Sequence, residues 1–141
     1  MKENREDFEQ WLFYMDDILE KFILNFKDQS RETLDYSVDS LDILENWMLN
    51  SFEDHKELMV EGNKILRDQI SRYIGETFRK NLECKWDIKF EDPKFAFYGL
   101  PILVEKDSGN TIICPHALST TTIARKRGDF LSKLLNNNMK K

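Results

Sequence analysis

Two cysteines, two histidines, three prolines and five glycines in 141 residues leave little material for several common kinds of protein. Cys84 and Cys114 stand thirty positions apart without CxxC spacing, which argues against a disulfide framework and a structural zinc site. Both read as small buried hydrophobes beside strands. The glycines never cluster, and neither GxxxxGK[ST] nor GxGxxG occurs, so the backbone nests that cradle phosphates in P-loop and dinucleotide-binding proteins are missing. GxSxG and HExxH are absent too, and His55 and His116 alone cannot assemble a multi-histidine metal site. No cofactor and no metal are expected. No apolar run approaches the roughly eighteen residues of a membrane span, and the opening MKENREDFEQ is charged throughout. The expectation is a cytoplasmic protein, neither exported nor inserted in a membrane.

What the chain does have is packing material. Ten Phe, three Trp and four Tyr within a composition that is 40% hydrophobic favour a folded core over disorder. The length suits a single domain, expected over residues 1–136, with 137–141 a frayed tail. The formal charge of −5 conceals an asymmetry: residues 1–62 hold 6 basic and 17 acidic side chains, a net of −11, and residues 63–141 hold 15 and 9, a net of +6. An acidic front half suits a basic partner or self-association and argues against nucleic acid.

Apolar residues recur at helical steps from Phe8 through Trp11, Met15, Leu19 and Phe22 to Phe26, so one helix is expected from Arg5 to Lys27. Phe13, Tyr14 and Leu24 lie off that stripe and leave room for a homodimer contact. Ser37 or Asp39 can cap a second helix running to about Phe52. A third should start near Asp54 and carry Leu66, Ile70, Tyr73, Ile74 and Phe78 on one side, with Gly62 marking a bend and Gly75 admitting another backbone. The period then falls to two. Trp86 to Glu91 reads as a strand stopped by Asp92-Pro93, Lys94 to Tyr98 as a possible continuation of the sheet, and Pro101–Glu105 with Thr111–Cys114 as a hairpin. A final helix should begin between Ala117 and Thr122. The expected fold is therefore α+β: three N-terminal helices, a small three-stranded antiparallel or mixed sheet, and a C-terminal helix.

Three constellations are candidates for function. Asp35, Asp39, Asp42 and Glu45 repeat at helical steps and read as one acidic strip, either a solvated face or a surface for a basic protein. Tyr73, Glu76, Arg79 and Trp86 gather at the junction of the third helix with the sheet, either a structural joint or the lining of a ligand pocket between them. Cys114-Pro115-His116 sets a thiol near an imidazole, although catalytic Cys–His pairs are usually assembled by the fold from distant positions. The stretch from Leu34 to Glu45, and Tyr73-Ile-Gly-Glu-Thr-Phe-Arg79 followed by Trp86, resemble small uncharacterised bacterial proteins, mainly from Firmicutes, some of which resemble immunity proteins of toxin systems. The likeness covers about residues 34–115. It implies a non-enzymatic binder that neutralises a toxin, with no catalytic residue to carry over. The leading expectation is thus a non-catalytic interaction module that takes a basic protein partner, with an immunity-type inhibitor as its sharpest form. The alternative is a small-molecule-binding or sensory domain.

Overall fold

The computed structural model describes residues 4–141 and is α+β, with helices first, then a sheet, then closing helices. Helix α1 (Arg5–Phe13) starts where the Asn4 side chain accepts from the Asp7 amide, and α2 (Met15–Ser30) follows after the single residue Tyr14. The one helix expected from Arg5 to Lys27 is therefore broken. The break has a distant cause: Arg72 Nη1 donates to the carbonyl of Trp11 at 2.7 Å, and a foreign donor on a helical carbonyl is a recognised origin of kinks.

Helix α3 (Val38–Ser51) is capped by Ser37, whose hydroxyl accepts from the Ser40 amide at 3.1 Å. The third expected helix divides into α4 (His55–Met59), a 3-10 turn (Glu61–Asn63) containing Gly62, and α5 (Lys64–Asn81). The sheet is antiparallel in the order β1 (Cys84–Asp87), β2 (Ile102–Glu105), β3 (Thr111–Ile113), with Trp86 opposite Leu103. Strand β1 stops at Asp87 rather than Glu91, and Lys94–Tyr98 forms turns instead of adding to the sheet. Phe95 and Phe97 there pack with Ile102, Val104 and Cys114 in a small separate apolar cluster.

The closing segment holds two helices rather than one. Helix α6 (Pro115–Arg125) begins on Pro115 itself, where the missing N–H costs nothing. Thr120, Thr121 and Thr122 are accommodated because each hydroxyl donates to a carbonyl three or four residues back. Helix α7 (Phe130–Met139) runs into the segment expected to fray.

Helix α5 is the axis of the domain. Every residue from Ile70 to Phe78 is buried, with α2, α3, α4, α6 and the sheet all packed against it. At Gly75 the close approach is made by a side chain, not by the backbone that the glycine suggested. A Cβ there would overlap the indole of Trp86 and stand 3.1 Å from Cγ of Pro115. The indole is also pinned, because Trp86 Nε1 donates to Glu76 at 2.9 Å and its ring meets Trp11 edge to face at 4.9 Å. Gly75→Ala gains about 1 kcal/mol of helix propensity and meets overpacking of about 1–3 kcal/mol. A net loss of up to about 2 kcal/mol is expected in urea unfolding, and it should vanish in a Trp86→Ala background. A stabilised Gly75→Ala protein would contradict the packing.

Candidate functional site

The acidic strip does not exist as a surface. Asp35 and Asp39 are exposed, but Glu45 is fully buried. Its carboxylate accepts from the amides of Gly128, Phe130 and Leu131 at 2.7, 3.0 and 2.9 Å, and so caps the start of α7 from another helix. Asp42 accepts from the Ser132 hydroxyl at 2.6 Å in the same joint. Helical spacing puts these carboxylates on neighbouring faces, but it carries no sign of the three amides that claim one of them. Asp35 is turned to a local task, accepting from the amide and hydroxyl of Ser37 at 3.1 and 2.6 Å, and these bonds hold its carboxyl below the ordinary range.

The junction residues are also structural. The Tyr73 hydroxyl lies in the core, where it accepts from the Tyr36 amide at 2.9 Å and bonds Ser40 Oγ at 2.6 Å. It thereby holds Tyr36 at a φ of 65°, a left-handed conformation costly for a bulky residue. Burial pushes the phenol of Tyr73 up, and that of Tyr36 to about 12. Glu76, 2% exposed, takes two bonds from Arg79 and one from Trp86. Every polar group of this quartet is thus engaged within the fold, and none of the four lines the large cleft of the molecule.

That cleft, of about 640 Å³, opens one to two turns earlier on α5, between α5, α6, the α1–α2 joint and the loop entering β2. Asp68 and Arg72 of α5, Trp11 of α1 and His116 of α6 form its polar floor. Asp68 Oδ1 accepts from Trp11 Nε1 at 2.8 Å and faces His116 Nε2 at 3.2 Å, and Oδ2 accepts from Arg72 Nε at 2.7 Å. The Arg72 guanidinium also lies over the Trp11 ring, 4.2 Å from its centre. Burial alone would raise the Asp68 pKa, but the bonds from His116, Arg72 and Trp11 and the Arg72 charge outweigh it and hold the carboxyl well below the ordinary range. Because an ionised carboxylate only accepts, His116 Nε2 must be the donor, which leaves Nδ1 buried without a hydrogen-bond partner.

Around this floor stand apolar walls from Ile18, Met59, Ile65, Leu100 and Ala117. Met59 and Ile65 are 53% and 77% exposed, so apolar surface is left uncovered at the mouth. The Cys114–His116 pair is not assembled. Cys114 Sγ faces the Pro101 carbonyl at 3.7 Å while His116 turns to Asp68. Burial raises the Cys114 pKa, and that of Cys84 to about 11, away from the range of a reactive thiolate. Among the described residues no three His, Cys, Asp or Glu side chains group to hold a metal ion, and no helix is long and apolar enough to cross a membrane.

Sequence spacing alone does not find this floor, because its members come from positions 11, 68, 72 and 116. One signal was present: Asp68 and Arg72 are four apart on a helix, eight residues before the Glu76–Arg79 pair. Each carboxylate is held by an arginine of its own helix and by one indole N–H, and the two indoles touch.

Two predictions follow from these carboxylates. Glu45→Ala strips three amides of their acceptor, and loss of hydrogen bonds to a charged group at a helix start should cost about 2–4 kcal/mol in urea unfolding; a change under about 0.5 kcal/mol would remove Glu45 from its capping role. Asp68 has a depressed folded-state pKa, so its stabilisation is present above the ordinary value of 3.8 and is lost as pH falls through the folded pKa. The stability gap between wild type and Asp68→Asn should be widest near neutrality and narrow from about pH 5 to pH 2, and a gap independent of pH would refute the assignment. In comparisons with known proteins the chain matches no family model, no curated protein and no solved structure, so likeness to a characterised protein carries no function to this cleft.

Proposed function

We propose that the protein is a non-catalytic small-molecule-binding or sensory domain whose ligand enters the cleft between α5 and α6. The observation that supports this most is the combination of volume and lining: about 640 Å³ lies within the range of roughly 300–1,000 Å³ usual for ligand sites, which are mostly apolar with a few convergent polar groups. The site differs from the pocket expected at Tyr73, Glu76, Arg79 and Trp86, although Trp11 joins the two through its contact with Trp86. A non-catalytic role is favoured because His116 Nε2 is committed to Asp68, Nδ1 is buried, and the nearby thiol of Cys114 is turned to a carbonyl. A cytoplasmic setting belongs to the same proposal and accords with two free, buried cysteines.

A second reading keeps the interaction module, with an immunity-type inhibitor of a basic toxin as its sharpest form. What favours it is the net of −11 over residues 1–62 together with exposed carboxylates at Glu9, Asp16, Asp17, Glu20, Asp35 and Asp39. Its surface would be α1, α2 and the start of α3, without Glu45. A homodimer through the exposed Phe13, Tyr14 and Leu24 is compatible with either reading.

The two are separated by three variants. Thr120→Trp fills the cleft from α6, and Ile65→Trp obstructs its mouth from a position that is 77% exposed. For a ligand site, the neutral fluorophore N-phenyl-1-naphthylamine should bind wild type, raise the melting temperature by several degrees when well above its Kd, and bind both variants at least tenfold more weakly. Binding that ignores both substitutions, or no binding at all, would sink the proposal. For an interaction module, a basic protein retained by wild type should be retained by Thr120→Trp and lost by Asp39→Lys.

A further inference from the structure

The charges that line the cleft are unequal, and their pairing decides what is left for a ligand. Asp68 is the one carboxylate among the lining residues, against the cations Lys64, Arg67 and Arg72. Arg72 is 3% exposed and spent on Asp68 and the Trp11 carbonyl, so the floor is internally neutralised. Arg67 donates through Nη1 to the Leu58 carbonyl at 2.9 Å, which anchors its guanidinium without neutralising it. Lys64, exposed at the first position of α5, has no ion pair among the described residues. Lys64 and Arg67 are three apart on one helix and therefore share a face.

Two uncompensated cations at one end of a cavity with apolar walls define a polarity. A bare inorganic anion would leave Ile18, Met59, Ile65 and Leu100 facing water. A neutral apolar molecule would forgo the two cations. A cation would be repelled at the mouth, with the Asp68 carboxylate already taken by three donors from three side chains. The geometry points to a small amphiphile with a single anionic head, a carboxylate or a phosphate, on an apolar body, with its head at Lys64 and Arg67 and its body along Ile65, Met59 and Leu100 toward the Trp11 floor. The inference rests on the cleft-binding reading and adds the ligand's chemical class. Arginine held by a carbonyl is pre-oriented to take such a head through its remaining N–H donors, and removal of the body from water supplies the bulk of the affinity.

A matched series of ten-carbon probes, each below its critical micelle concentration or, for decanol, its solubility limit, tests the class: decanoate, decyl phosphate, decanol and decyltrimethylammonium, measured by displacement of N-phenyl-1-naphthylamine from the full chain at low salt. Either anion should bind at least tenfold more tightly than decanol and decyltrimethylammonium, and whichever is the tighter of the two names the head. Lys64→Glu, a change at an exposed side chain, should reduce the affinity for the anions tenfold or more and leave decanol unchanged. Raising the salt should weaken the anions alone. If decanol or decyltrimethylammonium binds as tightly as the anions while Thr120→Trp still blocks all four, the ligand class is wrong and the cleft reading stands. If binding of the whole series is indifferent to both Thr120→Trp and Ile65→Trp, both are overturned. If Lys64→Glu leaves the anions unaffected, the head does not lie where the two cations place it, and the inference fails.

Discussion

A helix buried around its whole circumference must satisfy every polar side chain it carries without water, and α5 carries five in its sealed stretch: Ser71, Arg72, Tyr73, Glu76 and Thr77. An unpaired group there would cost about 1–3 kcal/mol, and a charge more. Ser71 and Thr77 return their hydroxyls to carbonyls of the preceding turn. Arg72 and Glu76 need partners from elsewhere, and much of the surrounding fold is arranged to bring them. Trp11 supplies a carbonyl to one and Trp86 an indole N–H to the other. The break between α1 and α2, the bare α-carbon of Gly75 and the early end of β1 all lie beside these two pairs.

The same constraint explains where the cleft opens. Toward its C-terminal half α5 is sheathed, and its polar groups are consumed inside the fold. Toward its first turns the covering elements part, leaving Asp68 and Arg67 half-buried and Lys64 exposed. The polar floor is therefore the outer end of a ladder that begins in the core, so any molecule lying on Trp11 rests on a surface stiffened from behind by Trp86 and Glu76.

How much of this was legible beforehand depended on the range of the interaction responsible. Period and punctuation sufficed for the α+β class, for the Ser37 cap, for the bend at Gly62 and for the β2–β3 hairpin, because those are set within a few residues. They failed where a distant group intervened. Nothing between Arg5 and Lys27 announces a break, since its agent is Arg72. Nothing in the spacing of Asp39, Asp42 and Glu45 separates an exposed carboxylate from one enclosed by amides at 128–131. Thr120 to Thr122 suggested a late start for the closing helix, and only their local hydroxyl bonds reconcile them with α6 starting at Pro115. The cleft was the least legible part, because its floor is assembled from three helices and its charge balance emerges only once Arg72 is seen to be occupied.

The bond from Glu45 to the start of α7 also has a meaning in time. During synthesis α3 leaves the ribosome some 83 residues before Gly128 does, so for that interval its carboxylate has no amides to receive it and must stay hydrated. An α3 packed without α7 would hold a buried carboxylate with no amides to meet it, so full burial of that face is coupled to residues 128–131.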